Sequence, residues 1–111
     1  MTYDLALAER IRASLPVAPE ATERAMFGGL AFLIQGNIAA VASSRGGLMI
    51  RADPSTTAGL VETTPAEWAE MRGRRMQSWL RLTSADLGSD ADLARWIELA
   101  VRYAATLPPK I

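Results

Sequence analysis

The amino-acid sequence predicts an α+β fold in which helices flank a small, mostly antiparallel sheet. Two short apolar runs, residues 30–34 and 38–43, are separated by a Gly-Asn pair, and a third run, 48–52, follows a turn at 44–47. A long amphipathic segment then begins near residue 90. Short apolar runs bounded by glycine are typical of strands, whereas apolar residues at i, i+3, i+4 and i+7 are typical of helices.

The hairpin at Gly36 and Asn37 is the most specific local prediction. Glycine accepts positive φ at the first central position of a two-residue loop, and asparagine accepts it at the second. The three runs then form three consecutive antiparallel strands, a β-meander. Gly28 and Gly29 precede the first run, and they indicate a turn into the strand because neither GxGxxG nor a Walker lysine accompanies them.

Three segments have the pattern of helices. The first begins after a Thr2 cap and ends at Pro16 and Pro19, and residues 17–22 follow as a linker. Asp53 and Pro54 indicate a cap and a first helical position, which predicts a short helix over 54–61. The last helix begins after Ser89 or Asp90 and ends before Pro108 and Pro109. We expect four of its residues to be buried against the strand of Phe32: Leu93, Trp96, Ile97 and Ala100.

The region between the meander and the last helix is less uniform. Thr64 and Pro65 repeat the cap-and-proline signal, so residues 65–71 fit either a helix or an edge strand. Residues 76–82 alternate apolar and polar side chains, which indicates a half-buried strand after a turn at 72–74.

Composition restricts the possible functions. The 111 residues suit one domain spanning residues 1–111, and the chain has no cysteine, no histidine and a net charge of zero. It therefore lacks thiol nucleophiles and the usual general base and metal ligand, and we expect no enzyme activity, metal or cofactor. No signal sequence and no apolar run near the roughly 20 residues of a membrane span is present, so we expect a cytoplasmic protein without a membrane partner.

Several segments resemble the N-terminal domain of the TfoX/Sxy competence regulators, over about residues 5–110. The motif residues that carry the resemblance are Arg24, Met26, Phe27, Gly28, Gly29, Arg72, Gly73, Arg74 and Met76. The resemblance implies a two-layer, secretion-chaperone-like fold with helices on one sheet face, and an edge strand near 69–71. It implies no catalytic residues. In the full-length regulators a second, helical domain follows, and we expect this chain to lack it.

Alternation along the strands predicts two different sheet faces. Residues expected against the helices are Leu30, Phe32, Ile34, Ile38, Leu48, Ile50, Leu80 and Leu82. Residues expected on the other side are Ala31, Leu33, Val41, Met49, Arg51, Gln77, Trp79 and Arg81. An apolar patch rimmed by arginines is typical of a protein interface, so we expect a regulatory or protein-interaction domain that forms a homodimer. The alternative is nucleic-acid binding through this face and the basic segment 72–81.

Overall fold

The computed structural model describes residues 3–17, 20–26 and 28–110. Its helices are α1 (Leu5–Ser14), α2 (Pro54–Thr63) and α3 (Asp90–Thr106), with a 3₁₀ turn at Ser84–Leu87. Its strands are β1 (Ala21–Met26), β2 (Gly29–Ile34), β3 (Asn37–Ala42), β4 (Leu48–Arg51), β5 (Glu67–Met71) and β6 (Arg74–Leu82). Among these described helices, none has the length and apolarity that a membrane span requires.

All six strands form one antiparallel sheet in the order β1-β2-β3-β4-β6-β5. The α+β class and the arrangement of a meander followed by a later hairpin are confirmed. Residues 67–71 form an edge strand, so the helical alternative for this segment is wrong. Trp68 lies opposite Leu80 of β6 and packs against the core, and that pairing favours the extended conformation.

Strand β1 was not predicted, because residues 17–22 have the composition of a linker. Four consecutive residues of β1, 22–25, are exposed, so the strand lacks the apolar alternation that identifies a half-buried strand. It forms because its backbone pairs with β2 along its whole length. A bidentate ion pair from Arg12 of α1 to Glu23 also holds it.

The β2–β3 turn is displaced by one residue from its predicted position. Gln35 and Gly36 form the loop, with φ of 53° and 83°, and Asn37 is the first residue of β3. The pairing of β2 with β3 also shifts register between Phe32 and Leu33. An irregularity of this kind changes which face a side chain reaches. Ile38 therefore packs on the face away from the helices, and its predicted place against them is wrong.

The core lies between the sheet and the helices α1 and α3. Leu93, Ile97 and Ala100 are buried there as predicted, but Trp96 is only half-buried and packs at the edge of the core. Asp4 caps α1 by accepting a hydrogen bond from the Leu7 N–H at 3.1 Å. The predicted Thr2 cap and the Pro19 helix stop lie outside the described residues. The Asp53 and Ser89 caps are confirmed, and α2 extends to Thr63.

Candidate interaction face of the sheet

The face of the sheet turned away from α1 and α3, called here the open face, carries its own apolar cluster. Ala31, Leu33 and Val41 are buried at its centre. Four half-buried side chains from neighbouring strands pack against them: Met26, Ile38, Met49 and Trp79. This cluster is separate from the helix-covered core, so the sheet has apolar side chains on both faces.

A single row of paired residues crosses all six strands on the open face. Read from β1 to β5, the row is Arg24, Ala31, Val41, Met49, Arg81 and Glu67. Each pair is directly opposite in the register, and opposite residues project to the same side of an antiparallel sheet. Arg24 and Arg81 therefore lie on either side of three apolar residues of this row. The two arginines are four strand spacings apart, about 19 Å at roughly 4.8 Å per spacing.

Arg51 and Trp79 form a second pair on this face, across β4 and β6. The guanidinium carbon of Arg51 lies 5.9 Å from the centre of the Trp79 ring, within the range of a cation–π contact. Both side chains are half-buried. Within the described part of the chain, the buried Nε of Arg51 has no hydrogen-bond partner. The pair therefore combines the apolar ring of Trp79 with a guanidinium group that has an unused hydrogen-bond donor among the described residues.

The open face contains six of the seven predicted interaction residues, and it contains others that the sequence did not assign to it. The six are Leu33, Val41, Met49, Arg51, Trp79 and Arg81. Gln77 is exposed, but strand pairing does not assign it to this face, because β6 is irregular between Met76 and Leu80. Arg24, Met26 and Ile38 join them. Arg24 and Met26 could be placed only once β1 was known, and Ile38 only once the register shift was known.

Comparison with protein families decides the family to which this chain belongs. The family model described as the TfoX N-terminal domain matches residues 14–104. The chain belongs to the TfoX N-terminal domain family. No curated protein and no solved structure matched the chain in the other two comparisons. The matched range runs from the end of α1 into α3, so this TfoX N-terminal domain includes every strand of the open face.

The described motif residues of this TfoX N-terminal domain lie in two separate hairpins, β1–β2 and β5–β6. Gly28, with φ of 75°, follows β1, and a Cβ at Gly29 would lie 2.4 Å from the Ala42 carbonyl oxygen on β3. The predicted turn into β2 is confirmed, and Phe27 lies outside the described residues. Arg72 and Gly73, both with positive φ, form the β5–β6 turn at the opposite edge of the sheet. The motif residues therefore belong to hairpins at opposite edges of the sheet and do not form one site.

The basic segment 72–81 is divided between two places. Arg72, Arg74 and Arg75 lie at the β5–β6 turn, and the guanidinium carbon of Arg75 is 4.9 Å from the centre of the Trp68 ring. Arg81 lies on the open face opposite Met49, whereas Arg75 lies over Trp68, which packs against the helix-covered core. These four arginines therefore do not form one continuous patch.

Two acidic residues near the start of α3 have structural partners among the described residues. Asp86 accepts a hydrogen bond from the Thr83 N–H at 2.9 Å, and Asp90 pairs with Arg10 at 3.0 Å. Nowhere in residues 3–17, 20–26 and 28–110 do three or more potential metal ligands come together. A cleft of about 710 Å³ between α2 and α3 has a mixed lining, in which Arg102 pairs with Glu98 at 3.5 Å.

Proposed function

We propose that this TfoX N-terminal domain is a non-enzymatic regulatory domain that binds another protein through the open face. One observation carries the proposal: an apolar cluster lies on the side of the sheet that no described helix covers, and arginines bound it at both ends. Apolar patches with polar rims mark interaction sites, and Trp and Arg are enriched at the residues that dominate binding energy.

The residue types in the chain support a function in binding more than one in catalysis. The sequence contains no histidine and no cysteine, and Lys110 is its only lysine. The usual general base and the thiol nucleophile are therefore both absent. The perturbed carboxylates, Glu23 and Asp53, have their pKa lowered by a hydrogen bond from Arg12 and by hydrogen bonds from Ser55, and both of these contacts hold secondary structure in place.

A protein partner fits the open face better than a nucleic acid does. Trp79 is the one aromatic side chain that the described residues contribute to the face, and Arg51 already contacts its ring. Single-stranded nucleic acids bind to several stacking platforms along a basic groove, whereas Ile38, Met26 and Met49 suit aliphatic side chains.

Nucleic-acid binding is the second candidate function, and the group of arginines at the β5–β6 turn favours it. Arg72, Arg74 and Arg75 lie together there, and the ion pairs of the described residues do not include them. Titration with single-stranded RNA at several salt concentrations tests this candidate. Strong, salt-dependent binding that Arg74→Glu abolishes would replace the protein-binding proposal with this one.

A second copy of the chain is the simplest protein partner, since two-fold homodimers are the commonest oligomers. Such a dimer would have Trp79 near its centre with Arg51 and Arg81 at its rim. Face-to-face contact would also bring the arginines of both copies together, and like charges across an interface cost binding energy. We therefore rank a different protein with complementary charge above a second copy. Light scattering on the wild type and Trp79→Glu measures self-association directly.

Cross-linking in native cells, followed by affinity isolation, tests the proposed function. Met49→Glu introduces a negative charge at the centre of the open face. Val17→Glu is the control, because it introduces the same charge outside the open face, at a side chain that is 98% exposed. We expect the wild type and Val17→Glu to retain the same cross-linked protein and folded Met49→Glu to lose it. Circular dichroism confirms that each variant is folded. An unchanged set of cross-linked proteins with Met49→Glu would refute binding through the open face.

A further inference from the structure

We propose that the partner segment is an acidic amphipathic α-helix that lies across the strands of the open face. This inference rests on the proposed function and specifies its partner. The Arg24 to Arg81 row determines the charge, the conformation and the length of the segment.

The charge of the face determines the charge of its partner. Three arginines, Arg24, Arg51 and Arg81, share the open face with one acidic residue of the row, Glu67. The ion pairs of the described residues use Arg10, Arg12 and Arg102, which belong to α1 and α3. Among the described residues, none of the three arginines of the open face takes part in an ion pair, and Glu67 is the one carboxylate opposite Arg81 in the row. The face therefore carries an excess of positive charge, although the whole chain has zero net charge. Complementary charge then requires a partner with carboxylates.

The backbone of the face determines the conformation of its partner. Strands β2, β3, β4 and β6 each pair on both sides, so their N–H and C=O groups are used within the sheet. A partner that adds a strand must use the edge at β1 or β5, where it would not reach the half-buried Ile38 of β3 or Met49 of β4. A segment on the centre of the face has to satisfy its own backbone groups, and an α-helix does so.

The spacing of the arginines determines the length of the helix. Arg24 and Arg81 are about 19 Å apart across four strand spacings. A helix rises 1.5 Å per residue, so about 13 residues span the two arginines. Leucines at i, i+3, i+4 and i+7 would contact Met49 and the half-buried Met26 and Trp79 beside the row, and glutamates near both ends would reach the two arginines.

Two synthetic peptides of about 14 residues test the charge and the conformation together. Both carry the same stripe of leucines, and one has glutamates where the other has lysines. We expect fluorescence anisotropy at low salt to show the glutamate peptide binding at least about tenfold more tightly, with the difference shrinking as salt screens the charges. A scrambled glutamate peptide without the stripe should bind at least about tenfold more weakly than the striped one.

Charge reversal at the ends of the row provides the matched variants. Arg24→Glu combined with Arg81→Glu should reverse the preference in favour of the lysine peptide, and both side chains are exposed, so the fold should persist. Arg95→Glu, at an exposed position of α3 away from the open face, should leave the preference for glutamate unchanged.

Four outcomes would overturn this inference. They are equal binding of the two peptides, no binding of either, no effect of the reversed charges, and displacement of the glutamate peptide by a tighter-binding uridine oligonucleotide. The proposed function is judged separately, by whether Met49→Glu loses the cross-linked protein that Val17→Glu retains. A partner that is lost with Met49→Glu but shows no preference for acidic helices would refute only the inference made here.

Discussion

The side-chain amide of Asn37 donates a hydrogen bond to the carbonyl oxygen of Pro108 at 3.0 Å, and so joins the first residue of β3 to the segment after α3. Asn37 is 2% exposed, which makes it one of the few buried polar side chains described. The Lys110 N–H also donates to the Gln35 carbonyl oxygen at 2.8 Å. The β2–β3 turn is therefore held by residues more than 70 positions away in the sequence.

Gly36→Ala should destabilise the protein more than Gly73→Ala, although both glycines have positive φ in two-residue turns. Each substitution costs about 1 kcal/mol for the left-handed conformation. A Cβ at Gly36 would also lie 2.0 Å from the Lys110 carbonyl oxygen, whereas one at Gly73 would meet no atom within 4 Å. We expect a loss of about 2–3 kcal/mol for Gly36→Ala, because the docked segment must move and its hydrogen bonds weaken. Urea denaturation measures both values, and equal losses would show that the contact with Lys110 is unimportant.

The sequence predicted the strands and helices that have a regular buried pattern, and it missed the strand that is mostly exposed. Strands β2 and β4 are short apolar runs in the middle of the sheet, and α3 has a regular apolar stripe, so their patterns were sufficient. Strand β1 has its central residues exposed, and only pairing with β2 defines it. The helix and strand alternatives for β5 could not be separated by local pattern, because Thr64 and Pro65 also resemble a helix start.

Thr57→Val should cost about 1–3 kcal/mol of unfolding free energy. Thr57 is buried, and its hydroxyl donates to the Gln77 carbonyl oxygen of β6 at 2.8 Å. The pairing of β5 with β6 is irregular between Trp68 and Ala69, so Gln77 has no partner on β5. Valine keeps the shape of threonine but removes the donor, which leaves the Gln77 carbonyl oxygen without this hydrogen bond.

Thr63→Val is the control for Thr57→Val, because it makes the same substitution in the same helix, α2. Threonine and valine have similar helix propensities, so neither variant should change the helix itself much. The Thr63 side chain is exposed and bonds only locally, to the Gly59 carbonyl oxygen. Its replacement should change stability by less than about 0.5 kcal/mol. Comparable losses at the two positions would refute the role assigned to the bond between α2 and β6.

The candidate site was predicted in part, and the missing residues have definite physical causes. Met49, Arg51 and Trp79 were assigned to the correct face because β4 and residues 79–82 of β6 pair in regular register. Ile38 was assigned to the wrong face, since a register shift cannot be recognised from alternation alone. Arg24 was recognised as part of a sequence motif, but its place at the end of the charged row depends on β1.

Ile97→Ala should cost more stability than Trp96→Ala, the reverse of what side-chain size alone suggests. The sequence pattern placed Trp96 in the core, where its loss would cost about 3–5 kcal/mol. In the structure Ile97 is fully buried, and Trp96 is half-buried beside a cleft lined by Leu60, Pro65 and Leu99. We expect about 2–5 kcal/mol for Ile97→Ala and about 1–2 kcal/mol for Trp96→Ala by urea denaturation. A larger loss at Trp96 would restore its predicted role in the core.

The ion pair between Arg12 and Glu23 should make the stability contributed by β1 depend on pH. Arg12 donates to both carboxylate oxygens of Glu23, at 2.5 and 2.8 Å, and also pairs with Glu9. The hydrogen bond from Arg12 lowers the pKa of Glu23, burial opposes this shift, and the charge of Arg12 adds to it. A carboxyl group with a lowered folded-state pKa stabilises the fold above its unfolded pKa of about 4.3. That stabilisation is lost as the pH falls through the folded-state pKa.

Glu23→Gln should therefore cost about 0.5–1 kcal/mol at pH 7, the range for a partly exposed surface pair. The difference from wild type should shrink as the pH falls below about 4 and vanish once Glu23 is protonated in both states. Glu62→Gln, at an exposed residue of α2 outside the described ion pairs, is the control. Urea denaturation at a series of pH values from 7 to 3 measures the effect. A Glu23→Gln difference that stays constant over this range would show that the contact does not depend on the charge of Glu23.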